Sequence, residues 1–141
     1  MRRTPSTKVD LNHSRITRIA ELDDLARALF PGSNKNHQRA FLAIFVEIKW
    51  TPGQFMPALE PVAQKHGISA RTLETVRAKM RRLGIIDHVC RFNKARGYRE
   101  GWVLSARFRT SLDSLGKTYD RLRECKDANQ ERKERDLYRY L

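Results

Sequence analysis

Residues 59–83, LEPVAQKHGISARTLETVRAKMRRL, decide how this chain folds. Their pattern predicts two helices joined by a tight turn. Gly67 stands where the first helix would end, and glycine tolerates the left-handed backbone that often follows a helix. Ser69 is a favourable N-cap for the second helix, because its hydroxyl can accept a hydrogen bond from an otherwise unpaired amide.

The second predicted helix, residues 70–83, has two contrasting faces. Its apolar residues recur at i, i+3, i+7 and i+10, the spacing of an amphipathic helix; they are Leu73, Val76, Met80 and Leu83. The opposite face is cationic, with small residues between long ones; it carries Arg71, Glu74, Thr75, Ala78 and Arg82. We therefore expect one face to pack on a core and the other to remain accessible.

The two helices and their turn resemble the helix-turn-helix motif of DNA-binding proteins. In that motif a small residue lies four positions before the turn glycine, and apolar residues occupy three later positions. The corresponding residues are Ala63, Gly67, Ile68, Leu73 and Val76. The small residue permits close crossing, and the apolar residues set the angle that directs the second helix into a major groove. The alternative is an ordinary helical hairpin of a small domain.

The flanks extend the resemblance. An apolar helix from Asn36, its predicted cap, to Trp50 precedes a short strand at residues 54–56, and Pro57 is expected to open the next helix. After Gly84, residues 85–92 and 102–108 have strand-like composition or alternation, with a basic, glycine-containing loop at 93–101 between them. This order is similar to the winged helix-turn-helix family over residues 36–108.

In that family the hairpin tip is a wing that touches phosphates or the minor groove beside the recognition helix. The resemblance assigns this role to four basic residues, which are Arg91, Lys94, Arg96 and Arg99. The alternative is a solvated loop, since such loops often carry lysine and arginine.

The sequence divides into three predicted segments. Residues 1–16 form a predicted flexible basic arm, which either lies along DNA through Arg2, Arg3 and Lys8 or is a disordered tail. Residues 17–125 form the winged domain with two extra amphipathic helices, at 17–30 and 110–125, and residues 126–141 a charged tail. In MarR-like and PadR-like regulators a helix like the one at 110–125 often supplies dimer contacts. A homodimer through the two extra helices is therefore expected, and packing on the domain itself is the alternative. The predicted fold class is mainly α with a small antiparallel β-hairpin (α+β).

Composition bounds the function. The chain has 141 residues and a formal net charge of +13, which favours a polyanionic partner, most often nucleic acid. An anionic membrane surface is less suitable, because the sequence has neither a long apolar run nor a clean basic amphipathic anchor. Two cysteines, Cys90 and Cys125, form no disulfide framework or metal motif. Without a signal peptide pattern, a cytoplasmic location is expected.

No arrangement of catalytic residues emerges from the sequence. The four histidines lack metal-ligand spacing, the glycines fall at turns rather than in a phosphate-cradling loop, and no Ser-His-Asp or Cys-His set can be argued. We therefore predict no enzyme activity, no metal and no cofactor.

These observations lead to one interpretation, a sequence-specific double-stranded DNA-binding protein that regulates transcription. Helix 70–83 would enter the major groove, and the wing at 93–101 would lie on the backbone or in the minor groove. The predicted contacts on the helix and its cap are Ser69, Arg71, Thr72, Glu74, Thr75 and Arg82.

Two alternatives stay open. The first is a plasmid or viral replication or partition protein that binds repeated sites. The second is a winged module for RNA or for protein assembly. RNA would be favoured by aromatics on an exposed sheet, whereas Phe92, Trp102 and Phe108 are expected to point inward.

Overall fold

The computed structural model describes residues 6–95 and 97–140. They form seven α-helices and three strands, which in chain order are α1 (His13–Ile16), α2 (Leu22–Leu29), α3 (Lys35–Trp50), β1 (Phe55–Met56), α4 (Glu60–His66), α5 (Ala70–Leu83), β2 (Ile86–Asn93), β3 (Gly97–Leu104), α6 (Arg107–Leu122) and α7 (Ala128–Leu137). The chain divides into two compact units, Met1–Phe108 and Arg109–Leu141. The prediction of a mainly helical protein with a small antiparallel sheet is confirmed.

Helices α4 and α5 form where the sequence predicts them. Gly67 follows α4 with φ 66° and ψ 36°, the left-handed conformation that glycine adopts without a steric penalty. Ser69 caps α5, and its Oγ accepts a hydrogen bond of 3.1 Å from the amide of Thr72. The small Ala63 is buried in the core, and Ile68 packs against the core.

Two helix starts differ from the prediction. Helix α3 begins at Lys35 with Asn34 at its N-cap, so Asn36 lies inside the first turn. Helix α4 begins at Glu60 instead of Pro57, and the proline of its first turn is Pro61. Proline favours the first turn of a helix, and Pro57 and Pro61 both meet this preference in the sequence. The sequence alone therefore does not decide which of the two prolines opens α4.

The sheet is antiparallel, with β3 between β1 and β2. The predicted long loop at 93–101 is wrong, because β2 and β3 stay paired up to Asn93 and Gly97 and the connection covers only residues 94–96. Gly101 is not a loop residue. A Cβ there would lie 2.6 Å from the carbonyl oxygen of Met56, so glycine lets β1 pair closely with β3.

The core of the first unit surrounds α3. Phe41, Ile44 and Ile48 of α3 are fully buried, together with Leu59, Val76, Met80 and Ile86 from the elements around it. Helix α2 packs on α3 and buries Ala26 and Leu29. Its apolar face is therefore used inside the unit, which is the alternative of packing on the domain itself.

The N-terminal segment is more structured than the predicted arm. Helix α1 lies within the predicted arm, and the predicted helix over 17–30 is shortened to α2. The Asp24 carboxylate accepts hydrogen bonds from the amides of Ala20 and Glu21, which sets the start of α2 at Leu22. The amide of Asp10 donates to the carbonyl of Ala28 (2.8 Å), and Val9 packs against the core. Arg2 and Arg3 lie outside the described residues.

The second unit contains α6 from Arg109 onward and the whole of α7. Helix α6 starts and ends three residues before the predicted bounds of 110 and 125. Its apolar stripe is exposed, by 48% at Leu112, 62% at Leu115, 60% at Tyr119 and 61% at Leu122. The predicted charged tail includes α7, capped by Asp127 through a 2.9 Å hydrogen bond from the amide of Gln130.

Candidate nucleic-acid interface

The outward face of α5 carries the predicted contact residues. Leu73, Val76 and Met80 are buried, which turns the opposite side of the helix away from the core. Thr72 is half-buried, and the other predicted residues of this helix and its cap are exposed; they are Ser69, Arg71, Glu74, Thr75 and Arg82. The division into an apolar and a polar face is confirmed.

The side chains of this face differ in how they are engaged. The Ser69 hydroxyl donates to Thr72 Oγ1 (3.0 Å) while it caps the helix, so both residues hold the helix start in place. Within the described part of the chain, Arg71 and Arg82 have no carboxylate at ion-pair distance. Their guanidinium groups are thus available to an external acceptor.

A cleft beside α5 contains the predicted Arg82 and adds Arg77, Arg81 and Arg107, which sequence reasoning did not assign to the site. It has a volume of about 690 Å³ and lies between α5, the sheet and the start of α6. The lining residues are Glu74, Arg77, Ala78, Arg81, Arg82, Asp87, Trp102 and Arg107. We call it the arginine cleft. Four arginines against two carboxylates make it electropositive, a property that depends on the packing of three elements.

Two of these arginines hold the cleft together. Arg77 Nη1 lies 3.3 Å from Glu60 Oε1 of α4, and the Arg77 guanidinium lies over the Trp102 ring at 5.3 Å. Arg107 Nε donates to Asp87 Oδ2 (3.0 Å), and the second ion-pair contact runs from Arg107 Nη2 to Asp87 Oδ1. Hydrogen bonding from Arg107 is the main reason that the pKa of Asp87 is lowered. The exposed Arg81 and Arg82 form the accessible rim.

The predicted wing residues are not gathered at this cleft. Arg91 and Arg99 are cross-strand partners, and their guanidinium groups stack over the Phe55 ring at 5.3 and 5.0 Å. By strand alternation they lie on the sheet face opposite Trp102, which borders α5. Lys94 is exposed in the connecting turn, and Arg96 falls outside the described residues.

The hairpin ends in two exposed aromatic side chains. Phe92 and Tyr98 are directly paired across β2 and β3, and they are 75% and 63% exposed. The prediction that Phe92 points inward is wrong, because the paired strands extend past the core. It is confirmed for Trp102 and Phe108, which pack partly buried against the core.

The other flank of α5 holds a buried cation. Lys79 is only 6% exposed; its ammonium donates to the carbonyl oxygen of Lys8 (2.6 Å) and to that of Leu29, and lies 4.3 Å from the Phe30 ring centre. Burial lowers the pKa of Lys79, and burial and then the Lys79 charge lower the pKa of His37 nearby. No periodicity in the sequence distinguishes this lysine from an exposed one.

The described residues contain no group of three or more His, Cys, Asp or Glu placed to hold a metal ion. Over the same ranges, no helix has both the length and the apolar character needed to cross a bilayer. Comparison of the chain with protein-family models, with curated proteins and with solved structures finds no significant match.

Proposed function

We propose that this protein is a sequence-specific double-stranded DNA-binding protein of winged helix-turn-helix type and that it regulates transcription. The observation that carries the proposal is the exposed, cationic face of α5 continuing into the arginine cleft. A polar helix face of this kind suits the major groove, and the neighbouring cations suit the phosphates along its edge.

The scaffold beneath α5 supports the proposal, because base reading requires a helix held at a constant angle. Glu47 of α3 accepts from Lys65 Nζ (2.9 Å) and lies 3.1 Å from Nε2 of His66, both in the last turn of α4. The Arg39 guanidinium donates to the carbonyl oxygen of His66 at the same corner. These bonds join α3 to the turn that precedes α5.

Individual roles follow from chemistry. Arg71 would donate two hydrogen bonds to a guanine, and Thr75 would meet a base edge or a thymine methyl. Glu74 would accept from cytosine. Arg81 and Arg82 would bind phosphates, and the amides of the first turn of α5, near Ser69, would face another phosphate.

The proposal includes a homodimer formed through α6. The apolar residues of α6 recur with steps of three, four and three residues, the spacing of a coiled-coil seam; they are Leu112, Leu115, Tyr119 and Leu122. The exposed stripe from Leu112 to Leu122 gives a second copy an apolar surface to cover. A two-fold dimer would then read a site with two half-sites.

Selection of bound duplexes from fragmented genomic DNA tests the proposal. We expect a short common motif near one or a few promoters, with tighter binding to the motif than to a scrambled duplex. An array of repeats would assign the protein to replication or partition, and equal binding to all duplexes would refute sequence-specific recognition.

A second candidate function, RNA binding, is favoured by one observation, the exposed Phe92–Tyr98 pair. Competition between the selected duplex and a hairpin RNA with an unpaired loop distinguishes the two. Stronger competition by the RNA would favour the second candidate.

A further inference from the structure

We propose that the Phe92–Tyr98 pair is a base-stacking contact that inserts against the bases of the DNA bound by α5 and unstacks a base step. This inference rests on the proposed DNA binding and extends it, because it assigns the wing tip a stacking role that cationic residues alone cannot perform.

The pair is built as an exposed aromatic platform. Phe92 and Tyr98 are register partners, so their rings share one face of the hairpin, one residue pair before its end at Asn93 and Gly97. Neither ring belongs to the core of the unit. Two large aromatic side chains are thus kept in water at the end of an extended hairpin.

Hydrogen bonding positions one ring of the pair. The Tyr98 hydroxyl lies 2.9 Å from Cys90 Sγ and 3.2 Å from Glu100 Oε2, which form the next register pair on the same face of the hairpin. These contacts hold the Tyr98 ring along the hairpin. A ring that is held before binding loses little freedom when it stacks on a base.

The pair lies on the sheet face that borders α5. Strand alternation puts Phe92, Tyr98 and Trp102 on one face, and Trp102 contacts Arg77 of α5 in the arginine cleft. A nucleic acid that follows the cleft would therefore meet this face of the hairpin.

The charges around the pair and its two aromatic rings together identify the occupant. It is a polyanion that offers accessible π-faces. On the face of the pair, Arg77 lies over Trp102 and Lys94 is exposed in the adjoining turn, and Glu100 is the acidic residue beside Tyr98. A second copy of the chain would bring like charges together at this tip, so self-association there is disfavoured. Nucleic acid satisfies both requirements, since every base offers a stacking surface and every nucleotide a phosphate.

The experiment measures both affinity and base unstacking. Wild-type protein and three variants bind a duplex recovered from a random pool, with 2-aminopurine replacing bases at the flanks of the motif. The variants are Phe92→Ala, Phe92→Trp, which retains an aromatic ring, and Trp50→Ala, which removes another side chain that is 75% exposed in the same unit. Thermal unfolding of each protein verifies that the fold is retained.

We expect Phe92→Ala to bind roughly 5- to 150-fold more weakly, the range for loss of one base–aromatic stack. The wild-type rise in 2-aminopurine fluorescence should disappear, while Phe92→Trp restores it and Trp50→Ala leaves both measurements unchanged. Because stacking releases few counterions, the dependence of affinity on salt should stay the same in Phe92→Ala.

Three results would overturn the inference. Unchanged affinity and fluorescence in Phe92→Ala would show that the tip does not reach the bases. A loss confined to a hairpin RNA would assign the pair to RNA. If wild-type protein bound no duplex at all, the proposed function itself would fail, a result distinct from the other two.

Discussion

Arg71 and Lys79 lie on the same helix and meet opposite environments. Arg71 is exposed, whereas the Lys79 ammonium is enclosed by two backbone carbonyls and the ring of Phe30. About two turns of helix therefore separate Arg71, which is available to a ligand, from Lys79, which stabilises the fold through its hydrogen bonds. Their substitution should affect binding and stability separately.

Arg71→Ala should reduce affinity for the selected site more than affinity for a scrambled duplex. A bidentate arginine–guanine contact provides about 1–3 kcal/mol of discrimination between bases. Titrations of both duplexes measure the two losses, with Arg132→Ala on α7 as a control for removal of an exposed arginine. Equal losses on the two duplexes would show that Arg71 contacts phosphate and not a base.

Lys79→Met should lower the free energy of unfolding by about 1–3 kcal/mol, because methionine keeps the aliphatic stem but leaves the carbonyls of Lys8 and Leu29 without their donor. Denaturant titration measures the change, and Lys35→Met at an exposed site is the matched control. A variant as stable as wild type would mean that relief of ammonium burial offsets the lost hydrogen bonds.

At the scale of elements, the position of α5 depends on contacts between its neighbours. Glu47 joins α3 to the end of α4, and Arg77 joins α5 to both α4 and the sheet. The corner that precedes α5 is thus held by charged groups as well as by apolar packing.

Acidification should weaken this corner. Hydrogen bonds from Lys65 and then His66 lower the pKa of Glu47 below its ordinary value of 4.5. A depressed carboxyl pKa contributes stability that is complete above 4.5 and is lost as the pH falls through the folded-state value. Glu47→Gln should remove this component, about 0.2–1 kcal/mol for a partly exposed pair.

Denaturant titrations at neutral pH and below pH 4.5 measure the effect, with Glu74→Gln as the control. The difference between wild type and Glu47→Gln should shrink at the lower pH. A constant difference would show that the Glu47 ion pairs do not stabilise the folded state.

Helix α6 should mediate self-association. Leu115→Lys puts a charge in the middle of the exposed apolar stripe, and it should convert a dimer to a monomer. Ser114→Lys adds the same charge beside the stripe and should leave the dimer intact. Light scattering in moderate salt measures the mass, and a monomeric wild-type protein at high concentration would contradict the dimer.

At the scale of the whole molecule, the net charge of +13 favours association with any nucleic acid, and position decides which cations contribute. Arg81 and Arg82 line the arginine cleft, whereas Arg91 and Arg99 cover Phe55 on the other face of the sheet. Salt dependence can distinguish these locations.

Replacing Arg81 and Arg82 together by alanine should flatten the slope of log affinity against log salt by up to about 2, since each lost phosphate contact contributes about 0.9. The pair Lys94→Ala and Arg96→Ala tests the wing in the same way, and it avoids Arg99, whose loss would uncover Phe55. Affinities at several salt concentrations give the slopes. An unchanged slope in the first variant would remove the cleft from the DNA path.

Signals between residues close together in the sequence determined the two central helices, α4 and α5. Apolar spacing, the turn glycine Gly67 and the cap Ser69 define α4 and α5, because each acts through neighbours within a few residues in the chain. The same spacing separates the buried face of α5 from its exposed face.

Tertiary structure decided what depends on residues distant in sequence. Gly101 stands in a stretch of sequence that is typical of a loop, but it lies in β3, where β1 packs closely against it. Helix α2 is a core helix because it packs on α3. Lys79 is buried by Lys8 and Leu29, 71 and 50 residues away. The arginine cleft and the exposure of Phe92 likewise arise from packing and hairpin length, which local periodicity does not encode.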